Sequence, residues 1–308
     1  MKKRVITATI LCTVLLPVLF FGSYFMIALV MFLSFMGVYE LIKMYNNKHK
    51  INNIYHILLP AITSVLTGVI SLGFLLDLKV ILFIGLPLIV VFFVGILIAS
   101  MFDKSVNMTD AFSMIGFIIY GGLSFSLLAG LRFVRMVSYD SWKISLGAFY
   151  DVNMLGLVLI GYGLIVSFAT DTGAQLGGLF FGKHKLCPTI SPKKTIEGAL
   201  SGLLVGATLG TILLFVFELI GDFRIFGIKE WYFNIPVIFG ISLVLSCFGQ
   251  IGDLVASKIK REHDIKDFGN IFPGHGGVLD RFDSVIFVNV VLFGIVLFIN
   301  YFVGGFGW

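Results

Sequence analysis

The sequence predicts an all-α, polytopic membrane protein, and three observations support this prediction. Of the 308 residues, 58% are hydrophobic and only 13% are charged, and the mean hydropathy is +1.03. Apolar runs of about 20 residues, long enough to cross a hydrocarbon core of roughly 30 Å as helices, recur along the chain. Helices are expected because lipid cannot satisfy open backbone groups and the runs are too long and too evenly apolar for barrel strands.

About nine spans of this length are predicted. They cover residues 5–21, 23–43, 56–76, 80–101, 111–131, 153–173, 198–220, 232–256 and 284–303. The first run follows the basic segment 2–4 and resembles a signal peptide, but it lacks a small-residue cleavage site and the apolar run continues to Val38. A hairpin of two helices that turns near Gly22 and Ser23 is the preferred interpretation, and a single tilted helix is the alternative.

The distribution of Lys and Arg predicts a cytoplasmic N-terminus. With that orientation, the inner segments and adjoining helix ends carry 16 of the 22 Lys and Arg residues, which leaves 6 outside. This excess follows the positive-inside rule. We therefore expect a multi-pass protein of the cell membrane whose active site faces the cytoplasm. The net charge of +5 suits anionic lipids and anionic substrates, and nothing in the sequence indicates nucleic acid.

The whole chain, residues 1–308, is interpreted as a single membrane domain. Its first four predicted spans carry little charge beyond Glu40 and Asp77, both near span ends. Residues 1–105 are therefore interpreted as a helical scaffold. Residues 106–308 are expected to supply the helices and cytoplasmic loops that carry the active site.

The first polar motif lies at the cytoplasmic end of the sixth predicted span. A carboxylate at Asp171 is costly beside hydrocarbon unless it is paired or bound to a cation. Gln175 shares its helix face if the helix continues, because the two residues are four apart. One interpretation is a polar or metal contact that lines a cavity. The alternative is a helix C-terminal Asp that faces interfacial water.

The second motif precedes the seventh span and contains Ser191, Pro192, Lys193, Lys194 and Thr195. The proline disfavours helix at the residue before it and allows a turn. Two lysines and two hydroxyls beside a helix N-terminus are suited to cradle a phosphate. An ordinary positive loop is the alternative, and the Ser-Pro-Lys-Lys-Thr string favours a functional role.

The third motif is a polar stripe on the eighth predicted span. Gln250, Asp253, Ser257, Lys260 and Arg261 follow helical spacing, so they share one face of a helix that leaves the membrane. A lone carboxylate so close to hydrocarbon would be protonated or paired. A bound divalent cation is an equally good solution, since Mg²⁺ takes a few carboxylates together with substrate phosphate oxygens.

The fourth motif is the glycine-rich turn 274–277, which contains His275 and leads into Asp280 and Asp283. The glycines permit positive φ angles and a close approach of the backbone to a ligand. The two carboxylates lie three residues apart at a helix start, where N-capping alone is the structural alternative. Together the four motifs suit nucleotidyl transfer, which needs charge neutralisation and alignment more than a protein nucleophile.

The segment from Ser257 to Asp283 resembles, position for position, the signature of the phosphatidate cytidylyltransferase (CDP-diacylglycerol synthase) family. That signature reads S-x-x-K-R, four residues, K-D, and then P-G-H-G-G-x-x-D-R-x-D. Upstream segments that also resemble the family are Asp171-Thr-x-Ala, 181–186, Pro188, 191–195 and 4–8.

The resemblance implies transfer of a cytidylyl group from CTP to phosphatidate, with CDP-diacylglycerol and pyrophosphate as products. It also implies dependence on Mg²⁺, a second cation such as K⁺, a helical membrane fold and a homodimer. The metal ligands that it implies are Asp253, Asp280, Asp283 and Asp171, and the catalytic residues are Asp253, Asp280 and Lys266. The substrate-binding residues that it implies are Ser191, Lys193, Lys194, Thr195, Ser257, Lys260, Arg261, His275, Gly276, Gly277 and Arg281.

Two positions depart from the family pattern. Gln175 stands where an aromatic residue is usual, and Gly178 stands where a larger or basic residue is often found. Two other functions remain open at this stage. One is a CTP-dependent enzyme for another lipid phosphate, and the other is a transporter, although transporters usually place their sites at the midplane between repeats.

Overall fold

The structure, a computed structural model, describes residues 13, 15–77, 79–136, 143–145, 151–221, 230–272, 274, 276–303 and 306–307. Within these residues, eight helical segments are long and apolar enough to cross a membrane. The all-α, polytopic fold class is therefore confirmed. Most of the first predicted span, 5–21, lies outside the described residues, so the count of nine and the orientation of the N-terminus stay predictions.

The helices follow the predicted spans closely. They are α1 (Ser23–Asn46), α2 (Tyr55–Leu75), α3 (Lys79–Phe102), α4 (Met108–Ile118), α5 (Ser124–Phe133), α6 (Met154–Phe181), α7 (Ile196–Gly221), α8 (Trp231–Glu262) and α9 (Leu279–Val303). A π-helical segment, Ile119–Leu123, joins α4 to α5, so these two helices together form the predicted span 111–131.

The described residues also contain short antiparallel strand pairs. The strands are β1 (Arg135–Met136), β2 (Lys143–Ser145), β3 (Asp151–Asn153), β4 (Lys185–Cys187), β5 (Ser191–Thr195) and β6 (Phe306–Gly307). The pairs are β1 with β6, β2 with β3, and β4 with β5.

Three helices extend past the predicted span boundaries by five residues or more. Helix α6 continues beyond residue 173 to Phe181, α8 continues beyond 256 to Glu262, and α9 begins at Leu279 rather than at 284. Hydropathy marks only the part of a helix that crosses lipid. The polar extensions are nevertheless helical, and they carry the charged residues of the motifs.

The chain divides into two compact units. The first comprises Met1–Phe133, Glu262–Arg281 and Trp308, and the second comprises Val134–Arg261 and Phe282–Gly307. The first unit thus combines α1–α5 with the segment after α8. The second unit contains α6, α7, most of α8 and most of α9. The prediction of a single membrane domain stays a prediction.

In the first unit, the helix breaks where the hairpin was predicted to turn. Residues 15–21 are helical, and Gly22 has a φ angle of 63° before α1 begins. The buried side chain of Arg132 donates from Nε to the Leu19 carbonyl (2.8 Å) and from Nη2 to the Phe20 carbonyl (2.8 Å). A cation that satisfies the last carbonyls of a helix stabilises its C-terminus, so Arg132 holds the break in place.

In the second unit, small residues bring α6 and α7 into close contact. A Cβ atom on Gly206 of α7 would lie 2.1 Å from Thr170 Oγ1, and one on Gly202 would lie 2.7 Å from the Thr170 carbonyl oxygen. The Thr170 hydroxyl in turn lies 2.6 Å from Ser246 Oγ of α8. Close helix packing through small residues and hydroxyl hydrogen bonds is typical of membrane proteins. Here it fixes the end of α6 that carries Asp171.

Candidate functional site

The second unit brings together three carboxylates that the sequence analysis selected. Asp171 lies on α6, Asp253 on α8 and Asp283 near the start of α9. They are close enough to influence one another electrostatically. Three like charges on three different helices repel one another unless cations compensate them, so this cluster is suited to attract positive groups.

Lys194 supplies one such positive group. Its Nζ lies 2.5 Å from Asp253 Oδ2, and the exposed fractions of the two side chains are 27% and 31%. Lys260 is within electrostatic range of Asp283. The cluster therefore joins carboxylates and lysines, the two groups expected where a metal and phosphates bind.

Hydroxyl groups orient the acidic side chains. Ser284 Oγ donates to Asp171 Oδ2 at 3.1 Å, and Ser167 Oγ donates to Ser284 Oγ at 2.9 Å. Ser257 Oγ donates to Asp253 Oδ1 at 3.4 Å across one turn of α8. Ser257, predicted to contact substrate, thus lies against a predicted metal ligand.

The segment Ser191–Thr195 is a strand, which agrees with the expectation that Pro192 disfavours helix there, although the turn that the proline allowed does not lie at this position. The turn lies earlier, where the Ile190 N–H donates to the Cys187 carbonyl at 3.2 Å. A proline is tolerated here because a two-stranded pair consists of edge strands. Successive residues of a strand face opposite sides, which explains why Lys194 is partly buried on Asp253 while Lys193 is exposed.

The β4–β5 hairpin is tied to the start of α7 by contacts that sequence analysis missed. Glu197 accepts the N–H of Lys183 (3.0 Å) and of His184 (3.2 Å), and its Oε1 lies 2.6 Å from His184 Nδ1. Thr195 Oγ1 accepts the N–H of Gly198 at 3.2 Å. These contacts hold the hairpin that presents Lys194. The role of Thr195 as a substrate contact stays a prediction.

In the first unit, Asp280 organises the glycine-rich turn. Its side chain is buried, and Oδ2 accepts the N–H of Phe268 (2.8 Å) and of Gly277 (2.9 Å). Phe272 and Gly276 exchange two backbone hydrogen bonds, and Gly276 has a φ angle of 85°. Only glycine adopts such an angle readily.

Glu40, which lies on α1, also holds this turn. The sequence analysis did not select it as a site residue. It is 2% exposed, its Oε1 accepts the N–H of Val278 (2.8 Å), and its Oε2 accepts the N–H of Leu279 (3.0 Å). A Cβ atom on Gly269 or Gly277 would lie within 2.5 Å of the Glu40 carboxylate. An ionisable residue inside an apolar helix is a functional signal in itself, and it could have identified Glu40.

The remaining predicted residues lie at the surface of their units or outside the described residues. Lys266, Arg281 and Arg261 are exposed, and their substrate contacts stay predictions. His275 lies outside the described residues.

The two departures from the family pattern have clear locations. Gln175 is exposed on α6, as is Asp171, and α6 continues through both residues as the spacing required. A Cβ atom on Gly178 would lie 3.0 Å from Thr195 Oγ1. The absence of a side chain at Gly178 therefore permits β5 to approach α6 closely.

The carboxylates alone do not form a closed metal cage. Across the described parts of the chain, no three His, Cys, Asp or Glu side chains are arranged to hold a metal ion. Mg²⁺ usually binds one or two carboxylates, several waters and substrate phosphates rather than an all-protein cage. The acidic cluster of the second unit fits that mode of binding, and the predicted ligands stay predictions.

Comparison with known proteins gives consistent matches over nearly the whole chain. The model of the cytidylyltransferase family matches residues 2–299. A phosphatidate cytidylyltransferase of Staphylococcus aureus (strain COL) is 34% identical over 288 residues, which cover 94% of this chain and 96% of the relative. A phosphatidate cytidylyltransferase of Bacillus subtilis (strain 168) is 33% identical over 302 residues, which cover 95% and 96%.

Proposed function

Because the chain belongs to the cytidylyltransferase family, we propose that it is a phosphatidate cytidylyltransferase that makes CDP-diacylglycerol for phospholipid synthesis. The observation that carries the proposal is the cluster of Asp171, Asp253 and Asp283 with Lys194. We place the protein in the cell membrane as a homodimer with its active site towards the cytoplasm, where CTP is available.

In the proposed reaction, a phosphate oxygen of phosphatidate attacks the α-phosphorus of CTP. This attack breaks the bond between the α-phosphorus and the oxygen that bridges to the β-phosphorus. Pyrophosphate leaves with the electron pair of that bond. No protein nucleophile is needed, because the task is to align the two phosphates and to offset their charges.

Lysines are proposed to offset the phosphate charges. Lys194 and Lys260 lie within electrostatic range of the acidic cluster, so phosphates bound there would meet positive charge. The exposed residues Arg261, Lys266 and Arg281 are proposed to contact further phosphate oxygens. Charge-assisted hydrogen bonds of this kind are roughly twice as strong as neutral ones.

Asp171, Asp253 and Asp283 of the second unit are proposed to supply carboxylate ligands for Mg²⁺. Asp280 of the first unit is proposed as a metal ligand because the resemblance to the family implies it. When bound, the ion would neutralise charge on the triphosphate. A second cation such as K⁺, which the resemblance to the family implies, is proposed as well.

The test is conversion of radiolabelled CTP to a lipid-soluble product by the purified full-length protein. It compares phosphatidate with other lipid phosphates, with and without Mg²⁺, for the parent, Asp280→Asn and the loop control Asp103→Asn. Asparagine keeps one acceptor oxygen for the turn but removes the charge. We expect Asp280→Asn to lower kcat at least ~100-fold, the scale of losing one key electrostatic group, and Asp103→Asn to match the parent.

Near-normal turnover of folded Asp280→Asn would contradict the site assignment. Product formation with a different lipid phosphate, and none with phosphatidate, would favour the related CTP-dependent enzyme. Absence of any CTP-dependent product from folded protein would contradict the function.

A further inference from the structure

We propose that Glu40 is a positioning residue for the nucleotidyl transfer. It would act by holding the first turn of α9 and, through that turn, Asp280. The inference rests on the proposed function and adds a residue from the N-terminal helices, which the sequence analysis interpreted as scaffold.

The contacts of Glu40 are long-range and convergent. Its two carboxylate oxygens accept the N–H groups of Val278 and Leu279, which are 238 and 239 residues away along the chain. These donors belong to the N-terminus of α9, where the first N–H groups have no partner within the helix. Asp280 follows them directly, so Glu40 fixes the backbone next to a predicted metal ligand.

Two carboxylates share the work of ordering this turn. Glu40 takes the N–H groups of Val278 and Leu279, while Asp280 Oδ2 takes those of Gly277 and Phe268. All four of these backbone N–H groups belong to the first unit, and each has a carboxylate acceptor. Loss of the Glu40 contacts would leave Asp280 to hold the turn without that support.

The sequence of the turn is adapted to Glu40. A Cβ atom on Gly277 would lie 2.3 Å from Glu40 Oε1, and one on Gly269 would lie 2.5 Å from the same oxygen. Side chains cannot approach so closely, so glycines at both positions let the backbone close around the carboxylate. A buried acceptor without such a fit would be costly, because polar groups are stable in an apolar interior only when they are hydrogen-bonded.

The substitution Glu40→Gln tests the proposal. Gln has nearly the same shape, but an amide NH₂ replaces one acceptor oxygen and would face an N–H donor. Glu40→Asp is the second variant, because it keeps the charge but withdraws the carboxylate by one methylene. The matched control is Asp110→Asn, which changes another buried carboxylate at a helix N-terminus of the same unit, where Asp110 and Asn107 form a capping box.

Three measurements separate positioning from general stability. Hydrogen exchange of the amides in 276–280, followed by mass spectrometry, reports the turn without reference to activity. Steady-state kinetics give kcat, the KM for CTP and the Mg²⁺ concentration for half-maximal rate. Thermal unfolding in detergent reports the folded state. All three are performed on the full chain.

We expect faster exchange in 276–280 and a kcat about 10- to 100-fold lower in Glu40→Gln, the range for residues that support metal ligands. The Mg²⁺ concentration for half-maximal rate should rise, whereas Asp110→Asn should change only the Tm. Unchanged exchange, or a rate loss no larger than in Asp110→Asn, would overturn the proposal. A parent that makes no CDP-lipid would instead overturn the proposed function, and exchange would still show whether Glu40 holds the turn.

Discussion

Lys194 and Asp253 form an ion pair in which Nζ lies 2.5 Å from Oδ2, with both side chains partly exposed. The pair joins the β4–β5 hairpin to α8, and Asp171 lies within electrostatic range of it. If the proposed function holds, this lysine would help to neutralise the triphosphate oxygens. The β4–β5 hairpin therefore positions the positive charge of Lys194 beside the carboxylates.

The first prediction concerns this lysine. Lys194→Met should lower kcat/KM for CTP about 10- to 100-fold, because a hydrogen bond to a charged group contributes roughly 1.5–3 kcal/mol. The control is Lys185→Met, since Lys185 is an exposed lysine on β4 of the same hairpin. It should change kcat/KM by no more than about 3-fold, as surface substitutions usually alter free energies by within ~0.5 kcal/mol. Equal losses of kcat/KM in the two variants would show that the hairpin contributes general positive charge and that Lys194 makes no specific contact.

The second prediction concerns the hydroxyl that orients Asp171. Ser284→Ala removes the donor to Asp171 Oδ2 and the partner of Ser167. Loss of such a supporting hydrogen bond typically lowers activity about 10- to 100-fold. The control is Thr208→Ala, because the Thr208 hydroxyl donates to a carbonyl of its own helix, that of Leu204. Kinetics that match the parent in Ser284→Ala would show that Asp171 is not part of the catalytic arrangement.

The membrane helices could be predicted from sequence because a helix that crosses the lipid core needs about 20 consecutive apolar residues. Eight helical segments of the described chain coincide with the spans predicted after 5–21. The break at Gly22 was also predicted, since a glycine interrupts an otherwise continuous apolar run. Polar groups at helix ends stand out against this background, and three of them, Asp171, Asp253 and Asp283, come together in the second unit.

Contacts between distant segments could not be predicted in the same way. The strand at Ser191–Thr195 depends on pairing with β4, whereas the local signal of Pro192 only disfavoured helix and allowed a turn. The partners of Glu40 could not be predicted, because they are backbone N–H groups of residues far along the chain. A side chain that binds backbone leaves no pattern of complementary residue types in a single sequence.

The third prediction concerns helix packing in the second unit. Gly206→Ala would place a Cβ 2.1 Å from Thr170 Oγ1, so the Thr170 side chain must shift and its contact with Ser246 is disturbed. We expect destabilisation of about 1–3 kcal/mol, the usual cost of overpacking. Gly240→Ala is the control, because nothing lies within 4 Å of its added Cβ. That variant should be neutral or up to ~1 kcal/mol more stable, since alanine favours helix. Thermal unfolding of both variants in the same detergent decides between these outcomes.

The fourth prediction concerns pH and the segment after α8. Lys48 Nζ lies 2.6 Å from Asp264 Oδ2, and this ion pair lowers the pKa of Asp264. A lowered pKa stabilises the folded protein at pH values above the ordinary value of about 3.9, and the contribution is lost as pH falls through the lowered pKa. Lys48→Met should therefore raise the pKa of Asp264 towards its ordinary value, as measured by NMR titration of labelled aspartates. The pKa of Asp103, which the Ser105 N–H lowers, should not change. Titration of Asp264 at the same pH in parent and variant would show that the ion pair does not persist in solution.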